Sequence, residues 1–293
     1  MQWDKVKNVL IGILLAVNLF LLGNLGFRLW QNYSRASGLD ADLRALVSGC
    51  GSTLADSFRL PEDVFLPELN LDRSRADEEN AASVMLGADM ERTELEDGTV
   101  RFQSGDGTVT WYADGRVNGV CPIPGETPDD ETSAIRAARK CFSEWGLAGD
   151  GASYQVSGFS VTQTAPVANR PVHNRELTLT FNADGTATLS GTWSFGTPYT
   201  TVTGRGADCR AADALLQFAS SLEAGETIRS MTAGYRMQMD SSRRLQLIPT
   251  WKIVTDRTDY FMDCDKKTLV TLSKEGCAAA QRPALAESVA IPP

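Results

Sequence analysis

The stretch "TVRFQSGDGTVTWYADGRVNGV", residues 99 to 120, decides the fold class. It alternates apolar and polar residues around two turns. A period of two is the period of a strand, whose successive side chains point to opposite faces of a sheet. The run breaks at Gly105-Asp106-Gly107 and again at Asp114-Gly115, where glycine permits the backbone conformations of tight hairpin turns. The pattern predicts a three-stranded antiparallel meander.

Upstream the period becomes helical. "SRADEENAASVMLG" (Ser74 to Gly87) carries acidic residues in its early turns and ends on glycine, a helix with its start and stop signals. Before it, "LDADLRALVSGCGSTLADSF" (Leu39 to Phe58) spaces Leu39, Leu43, Leu46 and Val47 helically and breaks at Gly49 and Gly51, which predicts one or two short helices. Pro61 and Pro67 then mark an extended crossing segment. Downstream, "CPIPGETPDDE" (Cys121 to Glu131) holds three prolines and reads as a linker.

The order then repeats. "DDETSAIRAARKCFSEWG" is a helix with Ile135, Ala138, Phe142 and Trp145 on one stripe. Strands are expected at Tyr154 to Val161, Glu176 to Phe181 and Thr186 to Trp193, with Asp184-Gly185 as a turn. A third helix, "ADCRAADALLQFASSL", precedes strands near Thr232 to Met239, Leu245 to Thr255, Asp259 to Asp263 and Leu269 to Leu272. Helix followed by antiparallel sheet, three times, implies an α+β protein.

From Asn8 to Phe27 no residue is charged, and at ~1.5 Å per residue that stretch makes a helix about as long as a hydrocarbon core is thick. Small residues near its end are followed by bulky Phe27, Arg28, Leu29 and Trp30 rather than by a signal-peptidase site, so the span is expected to stay as an anchor. Lys5 and Lys7 before it balance Arg28 and Arg35 after it. Because the short leading tail cannot form a domain, it is placed in the cytoplasm and the remainder outside a bacterial cell membrane. Trp3, Trp30 and Tyr33 are expected at the membrane interfaces. Along the helix Gly12, Ala16, Gly23 and Gly26 form a stripe of small residues, with Asn18 and Asn24 to either side. Small stripes let helix backbones approach, and polar side chains in lipid seek a partner helix. Contact with membrane lipid alone is the other reading of the same stripe.

Formal charge is −9, with 28 Lys+Arg against 37 Asp+Glu. Four of those bases and one acid fall in residues 1 to 36, leaving 24 against 36 beyond them. Such an acidic balance excludes nucleic acid as a partner, which selects basic faces. Six cysteines stand singly, at 50, 121, 141, 209, 264 and 277; buried thiols and one or two bridges are both consistent with them. A single histidine, His173, and no clustered thiols argue against a zinc site, and no cofactor motif is present. The same histidine is the only conventional base, and neither a G-x-S-x-G elbow nor H-E-x-x-H occurs. Carboxylate pairs suited to a wall hydrolase remain open, although Asp129, Asp130 and Glu131 sit where a helix start favours negative charge. No catalytic residues are assigned.

The opening Met1, Trp3, Asp4, Lys5, Lys7 and Asn8, then Leu10-Ile11, then Asn18-Leu19-Phe20-Leu21-Leu22, resembles the amino terminus of the YycI (WalI) family. The closing "GYRMQMDSSRRLQLIPTWKIVTDRTDYFMDCDKKTLVTL" (Gly234 to Leu272), with Tyr235, Leu247, Pro249, Trp251, Tyr260, Asp263 and Lys266, is similar to the last sheet of that family and of PepSY-like domains. The resemblance implies a non-catalytic, single-pass regulator of a YycG (WalK)-type sensor histidine kinase, with a YycH-like single-pass protein as companion and an ectodomain of two helix-plus-antiparallel-sheet lobes. Its alternative is a PepSY-like extracytoplasmic module that binds or inhibits a protease or cell-wall enzyme. The expected divisions are a cytoplasmic tail (1–8), a transmembrane helix (9–28), an amino-terminal lobe (36–123), a carboxy-terminal lobe with the PepSY-like sheet (124–276) and a disordered tail (277–293).

Overall fold

The computed structural model describes residues 41–200, 206–221, 225–242 and 244–271. The expected tail 1–8, membrane helix 9–28 and tail 277–293 lie outside them, as do Trp3, Gly12, Ala16, Asn18, Gly23, Asn24, Gly26, Trp30 and Tyr33. Among the described residues no helix is long and apolar enough to cross a membrane. They form an α+β fold of mostly sheet with four helices.

Helix α1 (41–49) leads to β1 (Thr53–Leu54), β2 (Val64–Pro67) and β3 (Leu69–Leu71). Helix α2 (Arg75–Leu86) starts where Ser74 Oγ accepts from the Asp77 amide at 3.3 Å, and stops at Gly87, whose φ of 89° a side chain would oppose. Strand β4 (Glu91–Glu94) follows, then the expected meander of β5 (Val100–Ser104), β6 (Gly107–Trp111) and β7 (Arg116–Pro122). Val100, Phe102, Val109, Trp111 and Val117 are all buried, the register pairing Val100 with Trp111 and Phe102 with Val109 on one face.

Helix α3 (Glu131–Glu144) is capped by Asp130, which accepts from the Ser133 amide at 2.6 Å while Ser133 Oγ receives the Asp130 amide at 3.0 Å. Beyond it come β8 (Ser153–Ser157), β9 (Ser160–Thr164), β10 (Glu176–Phe181) and β11 (Thr186–Thr192). What reads as one strand from Tyr154 to Val161 is a hairpin, because Gly158 turns the chain at φ 59°. Next stand β12 (Pro198–Tyr199), β13 (Gly206–Cys209), α4 (Ala211–Ser221), β14 (Thr227–Met239), β15 (Leu245–Thr255), β16 (Asp259–Asp263) and β17 (Leu269–Thr271). Strand β13 takes residues whose sequence reads as helix, since Ala207 and Cys209 pair with Leu66 and Val64 of β2. The amide of Ala211 then donates to Asp63 Oδ1 at 2.8 Å, so the start of α4 is satisfied by a residue 148 positions earlier.

Two main sheets result. One is eight-stranded and antiparallel, in the order β4-β5-β6-β7-β11-β10-β9-β8. The other runs β1-β14-β15-β16-β17, with β3 on β15 and β12 on β3. The expected boundary at 123/124 does not follow these sheets: β7 and β11 pair from Arg116↔Thr192 to Pro122↔Thr186, joining strands on either side of it. An unpaired β7 would leave an open edge, and β11 closes it. The prolines of 123–130 therefore cross within one module rather than link two. One core holds the buried residues from Ala81 to Trp193 that pack α2 and α3 on the eight-stranded sheet. The other joins Val47 to Leu71 with Ala207 to Cys264. The middle of the chain is thus nested inside the module built by its flanks. Pro249 sits within β15 between Leu245–Leu247, held by β3, and Thr250–Val254, held by β16, where a missing N–H forfeits no ladder bond. Cys209 and Cys264 form a disulfide with Cα atoms 5.2 Å apart, while Cys50, Cys121 and Cys141 are free thiols. Cys277 lies outside the described residues.

Candidate functional site

The two modules are stitched by a strap, residues 170–175, that runs beside β14 before entering β10. Tyr235 donates its amide to the Pro171 carbonyl and accepts from the His173 amide, each at 2.8 Å. Asn174 then clasps Met237: the Met237 amide donates to Asn174 Oδ1 at 2.7 Å, and Asn174 Nδ2 donates to the Met237 carbonyl at 2.8 Å. This covers a sheet edge that would otherwise present unpaired groups. The approach requires glycine at 234, where a Cβ would meet the Pro171 carbonyl and the His173 ring. The strap starts from a two-residue turn in which Val167 and Arg170 exchange backbone hydrogen bonds at 2.9 Å. Ala168 (φ 49°) and Asn169 (φ 60°) are both left-handed there, at a cost of about 1 kcal/mol for the alanine.

Arg175 ends the strap, at the point where the chain passes from one sheet to the other, and lines a cleft of about 530 Å³. Leu71, Pro166, Trp193 and Phe195 supply much of its apolar wall. The Arg175 Cζ lies 3.9 Å from the Trp193 ring centroid, and Nη2 donates to the Ser194 carbonyl at 3.3 Å. Trp193 is 3% exposed and is itself fixed, its amide donating to the Gly115 carbonyl at 2.7 Å. Gly149 makes room for it, since a Cβ there would meet Ala165 and come within 3.2 Å of the Trp193 ring.

Among the described residues nothing neutralises the charge of Arg175. No Asp or Glu among the described residues lies within ion-pair distance of it, and its buried Nε–H has no acceptor there. Burial pushes its pKa down to about 10, so the guanidinium stays protonated at neutral pH. Arg175 is half-buried; withdrawing a cation part-way from water without a partner is costly, and stacking on Trp193 offsets only about 2 kcal/mol of that. The contrast is with Glu78, 3% exposed. Arg73 Nη2 and Arg75 Nη1 reach its Oε2 at 3.0 and 3.2 Å, and Arg73 Nε bonds its other oxygen. There the fold supplies a complete ion-pair set; at Arg175 it supplies an aromatic face and an opening.

The residues that could carry chemistry sit elsewhere. His173 packs against Phe261 with ring centroids 5.8 Å apart, its Nε2 is 3.4 Å from the Thr250 carbonyl, and burial pushes its pKa down to about 4. The thiols of Cys121 and Cys141 are buried in the core of the eight-stranded module, and burial pushes both up to about 12. Asp130 is held low chiefly by the Ser133 amide it caps. Among the described residues no group of three or more His, Cys, Asp or Glu is placed to hold a metal ion. A second depression of about 310 Å³ lies over the disulfide and mixes Asp208, Asp263 and Asp265 with Arg210 and Lys267.

The anchor residues singled out from sequence lie outside the described residues. Arg175 and Trp193 escape sequence reading, because a lone Arg-Glu before a strand and a Trp at a strand end resemble many others. Only the fold brings them together.

No protein family's sequence profile and no curated protein matches the chain. Among solved structures it is similar to an uncharacterized protein from Eubacterium rectale, at 7% identity and a TM-score of 0.42 over 76% of this chain and 91% of that one. It is also similar to the YpeB C-terminal domain of Bacillus megaterium, at 8% identity and a TM-score of 0.30 over 70% of this chain and all of that one. Likeness at these scores identifies neither a fold family nor an activity.

Proposed function

We propose that this chain is a membrane-tethered, non-catalytic protein that works by holding another protein, and that the Arg175 cleft is where its extracytoplasmic part does so. The observation that carries the reading is the unneutralised guanidinium stacked on Trp193 in an open cleft with apolar walls. Convergence of one oriented polar group and apolar walls is what binding clefts share. The resemblance at the chain's two ends names the partner: a YycG (WalK)-type sensor histidine kinase, with a YycH-like single-pass protein beside it and the 9–28 helix packed among theirs. A protease or cell-wall enzyme held by a PepSY-like module is the second reading, and the cleft suits it equally.

The test is co-purification of the full-length protein, solubilised in detergent, with each of these partners. Association with the kinase or the YycH-like protein is expected, and it should weaken both when residues 9–28 are exchanged for polyleucine and in Arg175→Met. Full retention after the polyleucine exchange refutes the anchor's role, and full retention in R175M refutes the cleft's. Capture of a wall enzyme by residues 36–276, without the kinase, selects the second reading.

A further inference from the structure

We infer that the Arg175 cleft receives a single carboxylate, carried by a peptide segment of the partner; this rests on the reading that the cleft holds a partner. Among the described residues Arg175 is the one cation that lines the cleft, and exposed Asp150 lines it as well. A single guanidinium has donors for one carboxylate. A phosphate dianion or a polyanion would need several cations or a nest of amides, and a formal charge of −9 opposes polyanions at long range.

Geometry narrows the choice further. A guanidinium is a planar fork whose paired N–H groups match the two oxygens of a carboxylate. With one face stacked on Trp193 and Nη2 bonded to the Ser194 carbonyl, that plane is held before any ligand arrives. Little side-chain freedom is then lost on binding. Pro166 and Phe195 offer apolar surface to the carbon atoms next to the carboxylate. A polypeptide's terminal carboxylate and an Asp or Glu side chain share this chemistry, and either can pair with a guanidinium through two parallel N–H···O bonds.

Isothermal titration of the full-length protein in detergent tests the inference with four probes: N-acetyl-trialanine as free acid, its carboxy-terminal amide, an amide-capped peptide with a central Glu, and inorganic phosphate. The free acid or the Glu peptide is expected to bind at least about tenfold more tightly than the trialanine amide, the equivalent of one charge-assisted pair. Which of the two prevails identifies the carboxylate's source. Arg175→Met should abolish the preference, and Arg175→Lys, which keeps the charge without the fork, should reduce it severalfold. Because a variant can misfold, the Arg175 Nε–H resonance of the unmodified protein, assigned by its loss in R175M, is followed as well; it should shift with the free acid and not with the amide. Equal binding of acid and amide, tighter binding of phosphate, or no saturable binding by about 10 mM peptide overturns the inference. If partner capture still depends on Arg175 in those cases, the binding reading stands and only the carboxylate is wrong.

Discussion

Asn174→Ala tests the strap that places Arg175. The wild-type side chain makes both a 2.7 Å bond to the Met237 amide and a 2.8 Å bond to its carbonyl, and Met237 is buried at 4% exposure. Alanine leaves a buried donor and a buried acceptor without partners. Each such group costs about 1–3 kcal/mol, which gives about 2–6 kcal/mol for the pair, with water entry pulling the value toward the lower end. Set against the 5–15 kcal/mol typical of a folded domain, that is a large fraction. With a slope of about 2–3 kcal/mol/M, the urea midpoint should fall by roughly 1–2 M at unchanged slope. Amide exchange supplies a local readout, because the Met237 N–H should lose its protection before the rest of β14. Asn174→Asp keeps the acceptor for that N–H and loses the donor to the carbonyl, so it should fall between. A loss under about 0.5 kcal/mol with Met237 exchange unchanged would show that the strap is not held by this side chain and that Arg175 is positioned by other means.

Two further outcomes follow from buried groups. The Cys209–Cys264 bridge closes a loop with a sequence separation of 55, worth about 4 kcal/mol in the chain-entropy account; C209A/C264A should unfold at lower urea than the oxidised protein and match it under reductant, and coincident curves without reductant would refute the bridge. His173, the chain's single histidine, has its pKa lowered by burial from 6.5 to about 4. The unfolded chain therefore takes up the proton first: stability is full above pH 6.5 and declines as pH falls from there to about 4, by roughly 3 kcal/mol. The lone histidine ring signal by NMR should titrate near 4, and a midpoint at or above 6 would contradict its burial.

Local chemistry explains what was legible. Ser74 and Gly87 bound α2, Asp130 caps α3, and the glycine turns of 99–120 fold the meander, because each signal acts within a few residues. Strands β10, β15 and β16 lie where their alternation and flanking turns place them. Signals failed where the partner is distant. Ala207 and Cys209 become strand by pairing with β2, α4 starts on Asp63, and Gly158 divides a run that alternates without interruption. The candidate cleft was not legible at all, since nothing local to Arg175 reports that Trp193 will lie beneath it.

By itself, then, the sequence determined the α+β class, the type and order of most elements, and the acidic balance of charge, since all of these rest on residue type and short-range period. Only the tertiary structure decided which strands share a sheet. Hydrogen-bonded edges pair wherever they are brought together, and closing β7 with β11 nested the middle of the chain inside its flanks rather than dividing it at 123/124. That nesting made the seam, and the seam is what leaves Arg175 over an indole at the mouth of a cleft.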